Sequence, residues 1–240
     1  MALSKELCLN TLEKIRSRFE MQEIGDPHIP LTSLAAPQPL GACRLFKGEK
    51  VQKMVYIGLT FPPAGLDSHM LFAFTPADSL LPHFTLDSVI AGPTFAFHLD
   101  LMPRVDLGAN LAYMDEVFSP LTDAFTKAKE IEGLSAAHLS PRQLAIMSPW
   151  MLAHRATESA FRQIGETVNT YLEHWFGLVE NGIKSKIEMG VDQASMRDKL
   201  HRSILFDPEV DPVWAQVDRL VGEETSAKLR DILKNQESES

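Results

Sequence analysis

Residues 81–104 read LPHFTLDSVIAGPTFAFHLDLMPR, and this stretch decides the fold prediction. Two apolar runs flank the short turn AGPT, a pattern that predicts a β-hairpin. Side chains alternate across a strand, so centring the turn on its Gly-Pro pair sets Asp87 opposite His98 and Thr85 opposite Asp100. The sequence therefore predicts a hairpin with one apolar face and one face that carries three ionisable side chains.

The ionisable face of this hairpin has two interpretations. Polar residues on antiparallel strands are typical of a solvated outer face. A helical C-terminal half has to cover part of the sheet, however, and if it covers this face, desolvation raises the pKa of Asp87 toward the range of a proton donor. Asp87, His98 and Asp100 also include the ligand types of a two-carboxylate, one-imidazole metal site, although no local motif indicates one.

The rest of the chain places the hairpin in a larger sheet. Short connections within residues 42–103 predict hairpins and a mostly antiparallel sheet, and the Pro-rich residues 26–41 before it are interpreted as a connection. An amphipathic helix is predicted over residues 3–22, and 3.6-residue spacing predicts a helical C-terminal half over residues 107–236. We expect a single α+β domain over residues 1–240, with helices packed on a central sheet.

Composition narrows the class of partner. The 240 residues carry a formal net charge of −9, which argues against a nucleic-acid partner because nucleic-acid binding normally requires a basic face. No apolar stretch approaches the roughly 20 residues that span a bilayer, and the N-terminal helix lacks the apolar core of a signal peptide. Neither Cys8 nor Cys43 lies in a CxxC pair, which fits a reducing compartment. We expect a cytoplasmic protein without membrane contact that acts on a small molecule or a protein.

The order of motifs along the chain resembles the ferredoxin-dependent bilin reductase family, which includes the enzymes that form phycoerythrobilin and phycocyanobilin. Residues 53–103 contain, in order, a KM strand, a GLD turn, LPHFTLD and a strand ending in DLMP, which is the family's succession. Two later segments, SPWMLAHRA at 148–156 and MRDKLHRSIL at 196–205, are similar to the family's SPxxLFxR and NDKTRRVL segments.

This resemblance implies a fold and a chemistry. The fold would be a three-layer α/β/α sandwich with a central, mostly antiparallel sheet, and an open-chain tetrapyrrole would lie between the sheet and the C-terminal helices. Such enzymes bind no metal and no flavin; reduced ferredoxin is an external donor of single electrons to biliverdin or dihydrobiliverdin in phycobilin biosynthesis. Asp87 and Asp198 fall on the family's two aspartates, which protonate the bilin radical. A red chlorophyll catabolite reductase-like enzyme and a non-catalytic bilin carrier remain alternatives.

Six further residues are candidates for contact with the bilin: His98, Lys199, Arg155, His201, Met70 and Ile57. Lys199, through its motif match, and Arg155 are candidates to pair with its propionates. His98 is either a proton relay or pigment contact, or a sheet histidine bonded to Asp87. His201 lies three residues beyond Asp198 and therefore shares its helix face.

Two positions depart from the pattern of the members that make phycocyanobilin from biliverdin. Those members have a Glu on the second strand and a His on the third, where this chain has Ile57 and Met70. His69 is adjacent to Met70, but strand alternation sends it to the opposite face. The apparatus for reducing the exovinyl group is therefore expected to be absent, which points to reduction at a methine bridge or at the A-ring diene.

Overall fold

A computed structural model describes residues 3–33 and 36–236; residues 1–2, 34–35 and 237–240 of the predicted 1–240 domain lie outside the described residues. The strands are β1 (Gln22–Ser33), β2 (Ala36–Lys47), β3 (Lys53–Phe61), β4 (Leu66–Phe74), β5 (His83–Ala91), β6 (Thr94–Met102), β7 (Leu134–Ala136) and β8 (Leu152–Ala156). The helices are α1 (Leu3–Arg18), α2 (Leu111–Val117), α3 (Thr122–Lys129), α4 (Pro141–Ile146), α5 (Glu158–Phe161), α6 (Ile164–Asn181), α7 (Val191–Leu205), α8 (Val213–Val221) and α9 (Glu223–Lys234).

One antiparallel sheet organises the described part of the chain. It has eight strands in the order β1-β2-β3-β4-β5-β6-β8-β7. On one face, Leu12 of α1 and the fully buried Trp175 of α6 belong to the same apolar cluster as Leu86 of β5. On the other face, Met70 of β4 clusters with Trp214 of α8. The predicted α+β class and α/β/α sandwich are thus confirmed.

The predicted hairpin register is confirmed. In the β5–β6 pair, Asp87 is the partner of His98, and Thr85 is the partner of Asp100. The turn between them contains Gly92 with a φ of 59°, a left-handed conformation that glycine adopts without the steric cost of a Cβ atom. Because alternation holds along the whole hairpin, its ionisable side chains share the face that the C-terminal helices α7 and α8 cover.

The N-terminal boundaries differ from the sequence-based ones. Helix α1 ends at Arg18 rather than at residue 22, because Glu20 has a positive φ of 50° and turns the chain into β1. The sheet also begins at Gln22 rather than at residue 42, since the Pro-rich connection forms most of β1 and the first half of β2. Edge strands tolerate proline because one side of the strand needs no amide donor, and Pro30 lies on the edge strand β1.

The C-terminal part is not wholly helical over residues 107–236. It contributes β7 and β8, of three and five residues, and β8 adds to the sheet alongside β6. Strands this short carry too few side chains to show a period of two, so the pairing of β8 with β6 and of β7 with β8 was not visible in the pattern. Among the described helices, none combines the length and apolarity needed to cross a bilayer.

Candidate active site

A cavity of about 280 Å³ separates the ionisable face of the sheet from the helical layer above it. Its walls are mostly apolar with a few polar groups, the composition typical of small-molecule sites. The sheet contributes Leu59, Leu66, Ser68, Met70, Phe72, Thr85, Asp87, Val89, Ala96, His98 and Met102, among others. The opposite wall contributes Leu139, Gln143, Met147, Leu205, Phe206, Asp211, Val213, Trp214, Gln216, Val217 and Leu220.

Asp87 and His98 are neighbours on the sheet wall of this cavity. Nδ1 of His98 lies 3.4 Å from Oδ2 of Asp87, and the two side chains keep 18% and 35% of their surface exposed, respectively. Oδ1 of Asp87 and Nε2 of His98 are buried and have no hydrogen-bond partner among the described residues. A buried polar atom without a partner costs about 1–3 kcal/mol, so these two atoms mark a place where a ligand would be stabilised.

The charge of His98 is controlled by carboxylates around it. Burial lowers the pKa of His98, but Asp87, Asp100 and Asp211 together raise it above its ordinary value. The imidazolium form of His98 is therefore favoured at the cavity wall, beside the side chain of Asp87.

Asp100 is fully buried next to the cavity and binds Ser148, in the segment that leads into β8. Its two carboxylate oxygens accept hydrogen bonds from Oγ of Ser148 at 2.5 Å and from the backbone N–H of Ser148 at 2.9 Å. Burial raises the pKa of Asp100 to about 6, against the opposing effects of His98 and Ser148. This geometry is that of an anchor between β6 and the segment before β8.

Asp198 does not belong to the cavity lining. It is fully enclosed, and its carboxylate accepts hydrogen bonds from Nε2 of His83 at 2.7 Å, from Nε of Arg202 at 2.9 Å and from Nε2 of Gln236 at 3.1 Å. Nη2 of Arg104 lies 3.3 Å away. Burial raises the pKa of Asp198, but His83 and the two arginines lower it far below its usual range. The structure thus separates the two aspartates that the resemblance paired.

The other predicted contacts on the C-terminal side also lie away from the lining. Nε2 of His201 faces the carbonyl of Ile146 at 2.8 Å, and Lys199 is exposed on α7. Arg155 is exposed on β8, where it pairs with Ala96, a residue that lines the cavity. Arg155 is therefore on the cavity side of the sheet, near the cavity edge.

The two positions that depart from the phycocyanobilin-forming pattern are apolar neighbours on the same face. Met70 lines the cavity and pairs with Asp87, whereas Ile57 is fully buried opposite Met70. His69 faces α1 instead, with Nδ1 2.6 Å from the hydroxyl of Tyr56 and Nε2 3.0 Å from Asp67. His69 thus lies on the opposite face of the sheet from Met70, as strand alternation predicts.

Sequence reasoning missed Asp211, a titratable residue of the cavity lining. It lies between α7 and α8, where its Oδ1 accepts the backbone N–H of Val213 at 3.1 Å. An Asp two residues before a helical Val, in the sequence DPV, is a local capping signal. That signal predicts the turn but not that the turn faces β5.

Within the described residues, no group of three or more His, Cys, Asp or Glu side chains is arranged to hold a metal ion.

Comparison with known proteins gives a result at the level of the fold. No protein-family model matches the chain, and no curated protein matches it. A solved structure of phytochromobilin synthase from tomato, in complex with biliverdin, matches with a TM-score of 0.77 and 18% sequence identity. The match covers 97% of this chain and 83% of that chain. The fold that the sequence motifs implied is thus confirmed: this chain has the fold of phytochromobilin synthase.

Proposed function

We propose that this protein is a ferredoxin-dependent bilin reductase. It binds biliverdin or dihydrobiliverdin between the sheet and the helices α7 and α8, receives single electrons from reduced ferredoxin, and protonates the reduced bilin from Asp87. The observation that carries this proposal is the Asp87–His98 pair, with two unpartnered buried atoms on the wall of an apolar cavity. The shared fold with an enzyme solved in complex with biliverdin supports the choice of ligand.

The walls of the cavity suit a flat, conjugated molecule with a polar centre. Apolar side chains such as Met70, Phe206 and Trp214 offer surface to the tetrapyrrole plane, while the carbonyl oxygen of the protonated Asp87 carboxyl can accept a hydrogen bond from a pyrrole N–H group. Arg155, at the cavity edge, is the proposed partner of a propionate, and exposed Lys199 is a second candidate. The ring system would thus lie in the cavity, with its carboxylates toward solvent.

The Asp87–His98 pair supplies what a stepwise reduction requires. Each added electron makes the bilin more basic, and a positioned acid that then donates a proton accelerates the step by about 10²–10⁴-fold. Two electrons from ferredoxin and two protons saturate one double bond of the conjugated system. Once Asp87 has given up its proton, the imidazolium form of His98 stabilises the carboxylate and can return a proton to it.

A non-catalytic bilin carrier is the second candidate. It is favoured by Met70 and Ile57, which stand where phycocyanobilin-forming members have titratable residues. For a reductase, the same two apolar residues favour reduction at a methine bridge or at the A-ring diene over the exovinyl group.

Spectroscopy separates these functions. Purified protein is mixed with biliverdin, or with 15,16-dihydrobiliverdin, and visible spectra are recorded before and after the addition of reduced ferredoxin. A reductase shifts the bilin band, then develops radical absorption and a new product band, and chromatography of the product identifies the double bond. A carrier shifts the band and then stops. If neither bilin shifts its band, both functions are rejected.

A further inference from the structure

Asp211 faces the ionisable wall of the sheet from the opposite side of the cavity. It lies in the connection between α7 and α8 and lines the cavity together with Asp87 and His98. The hydrogen bonds described for its carboxyl group, from the backbone N–H of Val213 at 3.1 Å and from the side-chain amide of Gln143 at 3.4 Å, both end on Oδ1. They hold the carboxyl group in place and leave Oδ2 available to a ligand.

The electrostatic surroundings keep this carboxyl protonatable. Burial raises the pKa of Asp211, Asp87 raises it further, and His98 and the N–H of Val213 oppose them. From the neighbouring α4 it meets the neutral amide of Gln143. The nearby ion pair of Arg142 with Glu209 is exposed and 3.9 Å long, so solvent screens its field. Asp87 therefore favours the protonated form of Asp211 across the space where a ligand would lie.

Asp198 has the opposite properties. Its carboxylate already accepts hydrogen bonds from three side chains, and Arg104 and Arg202 hold it ionised. Donating a proton from this position would require breaking a buried, charge-compensated network, which is costly. The residue that the sequence pattern selects as second acid is thus the less suitable of the two.

We propose that Asp211, rather than Asp198, is the second acid of the cavity and a catalytic residue of the reduction. The inference rests on the proposed function. In each two-electron reduction, ferredoxin supplies both electrons, Asp87 supplies one proton from the sheet wall, and Asp211 supplies the other from the helical wall. Both carboxylates then regain protons from solvent, so protons and electrons balance over the cycle.

The test compares Asp211→Asn with the wild type in single-turnover reactions. Asparagine keeps an oxygen that accepts the N–H of Val213, so the variant is expected to fold and to bind biliverdin with its affinity changed less than about 3-fold. Radical absorption is expected to appear normally and to decay to product about 100-fold more slowly. The wild-type decay rate is expected to fall as pH rises and Asp211 ionises, and this limb of the pH profile should disappear in Asp211→Asn. Asp211→Glu should recover part of the rate.

Two further variants serve as controls. Asp207→Asn changes a carboxylate in the same connection that caps Glu209 and does not line the cavity, so its decay rate should match that of the wild type. Asp198→Asn, compared at equal concentration of folded protein, should also decay at the wild-type rate. Normal decay in Asp211→Asn, or slow decay in Asp198→Asn alone, overturns the assignment.

A measurement without ferredoxin keeps this assignment separate from the proposed function. Infrared difference spectra of biliverdin binding report a protonated carboxyl through its C=O stretch, and part of this signal should be missing in Asp211→Asn. If the wild type binds biliverdin but reduced ferredoxin never reduces the bound bilin, the proposed function fails. If the carboxyl signal is also unchanged in Asp211→Asn, the role of Asp211 is overturned as well. If biliverdin does not bind at all, both are rejected.

Discussion

Nε2 of His83 donates a hydrogen bond to Oδ1 of Asp198 over 2.7 Å, although the two residues are 115 positions apart in the chain. The backbone N–H of Thr75 points at Nδ1 of His83 from 3.1 Å, which assigns the hydrogen of the neutral ring to Nε2. Arg104 and Arg202 lie 3.3 Å and 2.8 Å from the same carboxylate. The carboxylate of Asp198 therefore compensates the charge of two buried guanidinium groups and, through His83, links α7 to the sheet.

Replacing Asp198 is expected to cost stability. Asp198→Asn leaves Arg104 and Arg202 without a compensating charge, and removing one partner of a buried ion pair lowers the free energy of unfolding by about 3–5 kcal/mol. Urea denaturation followed by far-UV circular dichroism measures the loss. The matched control is Asp123→Asn, an exposed aspartate on α3, which should be indistinguishable from the wild type. A loss below about 1 kcal/mol for Asp198→Asn would show that this network is not a structural unit.

Acid is expected to destabilise the protein through His83. Burial and the charge of Arg104 lower the pKa of His83 to about 3. As pH falls below about 6.5, the ordinary pKa of histidine, His83 therefore takes up a proton in the unfolded state but stays neutral in the native state. The contribution of His83 to the free energy of unfolding is therefore complete above pH 6.5 and is lost as pH falls toward 3.

Asp100 changes the stability in the opposite direction between about pH 4 and 6, because its raised pKa lets the native state bind a proton that the unfolded state does not.

A variant isolates the histidine contribution. His83→Gln removes the titrating ring and keeps Asp100, so the stability difference between wild type and variant should shrink as pH is lowered from about 7 to about 4. Chemical denaturation at several pH values measures this difference. If it stays constant over that range, His83 takes up its proton equally in the native and unfolded states, and the description of the buried network is wrong.

Removing the acid from the sheet wall should block turnover without blocking binding. Asp87→Asn keeps the size of the side chain and one hydrogen-bond acceptor but has no proton to donate, so turnover with reduced ferredoxin should fall by about 10²–10⁴-fold. The band shift on adding biliverdin should remain. Asp123→Asn again serves as the control and should turn over normally. Wild-type turnover in Asp87→Asn would remove the proposed proton donor.

Filling the cavity should abolish bilin binding while leaving the fold intact. Ala96 on β6 lines the cavity, and Ala96→Trp would occupy the volume that the tetrapyrrole needs. Thr94→Trp is the matched control, because Thr94 is on the same strand and the same face but is exposed at the turn and outside the lining. A spectroscopic titration with biliverdin should show no band shift for Ala96→Trp and a wild-type shift for Thr94→Trp. Equal shifts in both would place the bilin elsewhere.

The sequence by itself determined the arrangement of the central hairpin. Alternation and a short turn decide which side chains are neighbours, so the pairing of Asp87 with His98 and the separation of His69 from Met70 followed from residues close in the chain. The order of motifs also indicated the fold. Strand β1 was missed because its prolines are tolerated only at a sheet edge, and β8 because five residues carry too little pattern.

The second wall of the cavity was decided only by the tertiary structure. Helical spacing shows that Asp198 and His201 share a face, but not which neighbour that face meets, since the rotation of α7 depends on its packing against β5 and α9. The buried contacts of Asp198 with His83 and Arg104 turn it away from the cavity. The same packing brings Asp211, more than a hundred residues from Asp87 in the chain, to the opposite wall. A local sequence period cannot predict such contacts, because they form only when distant elements pack together.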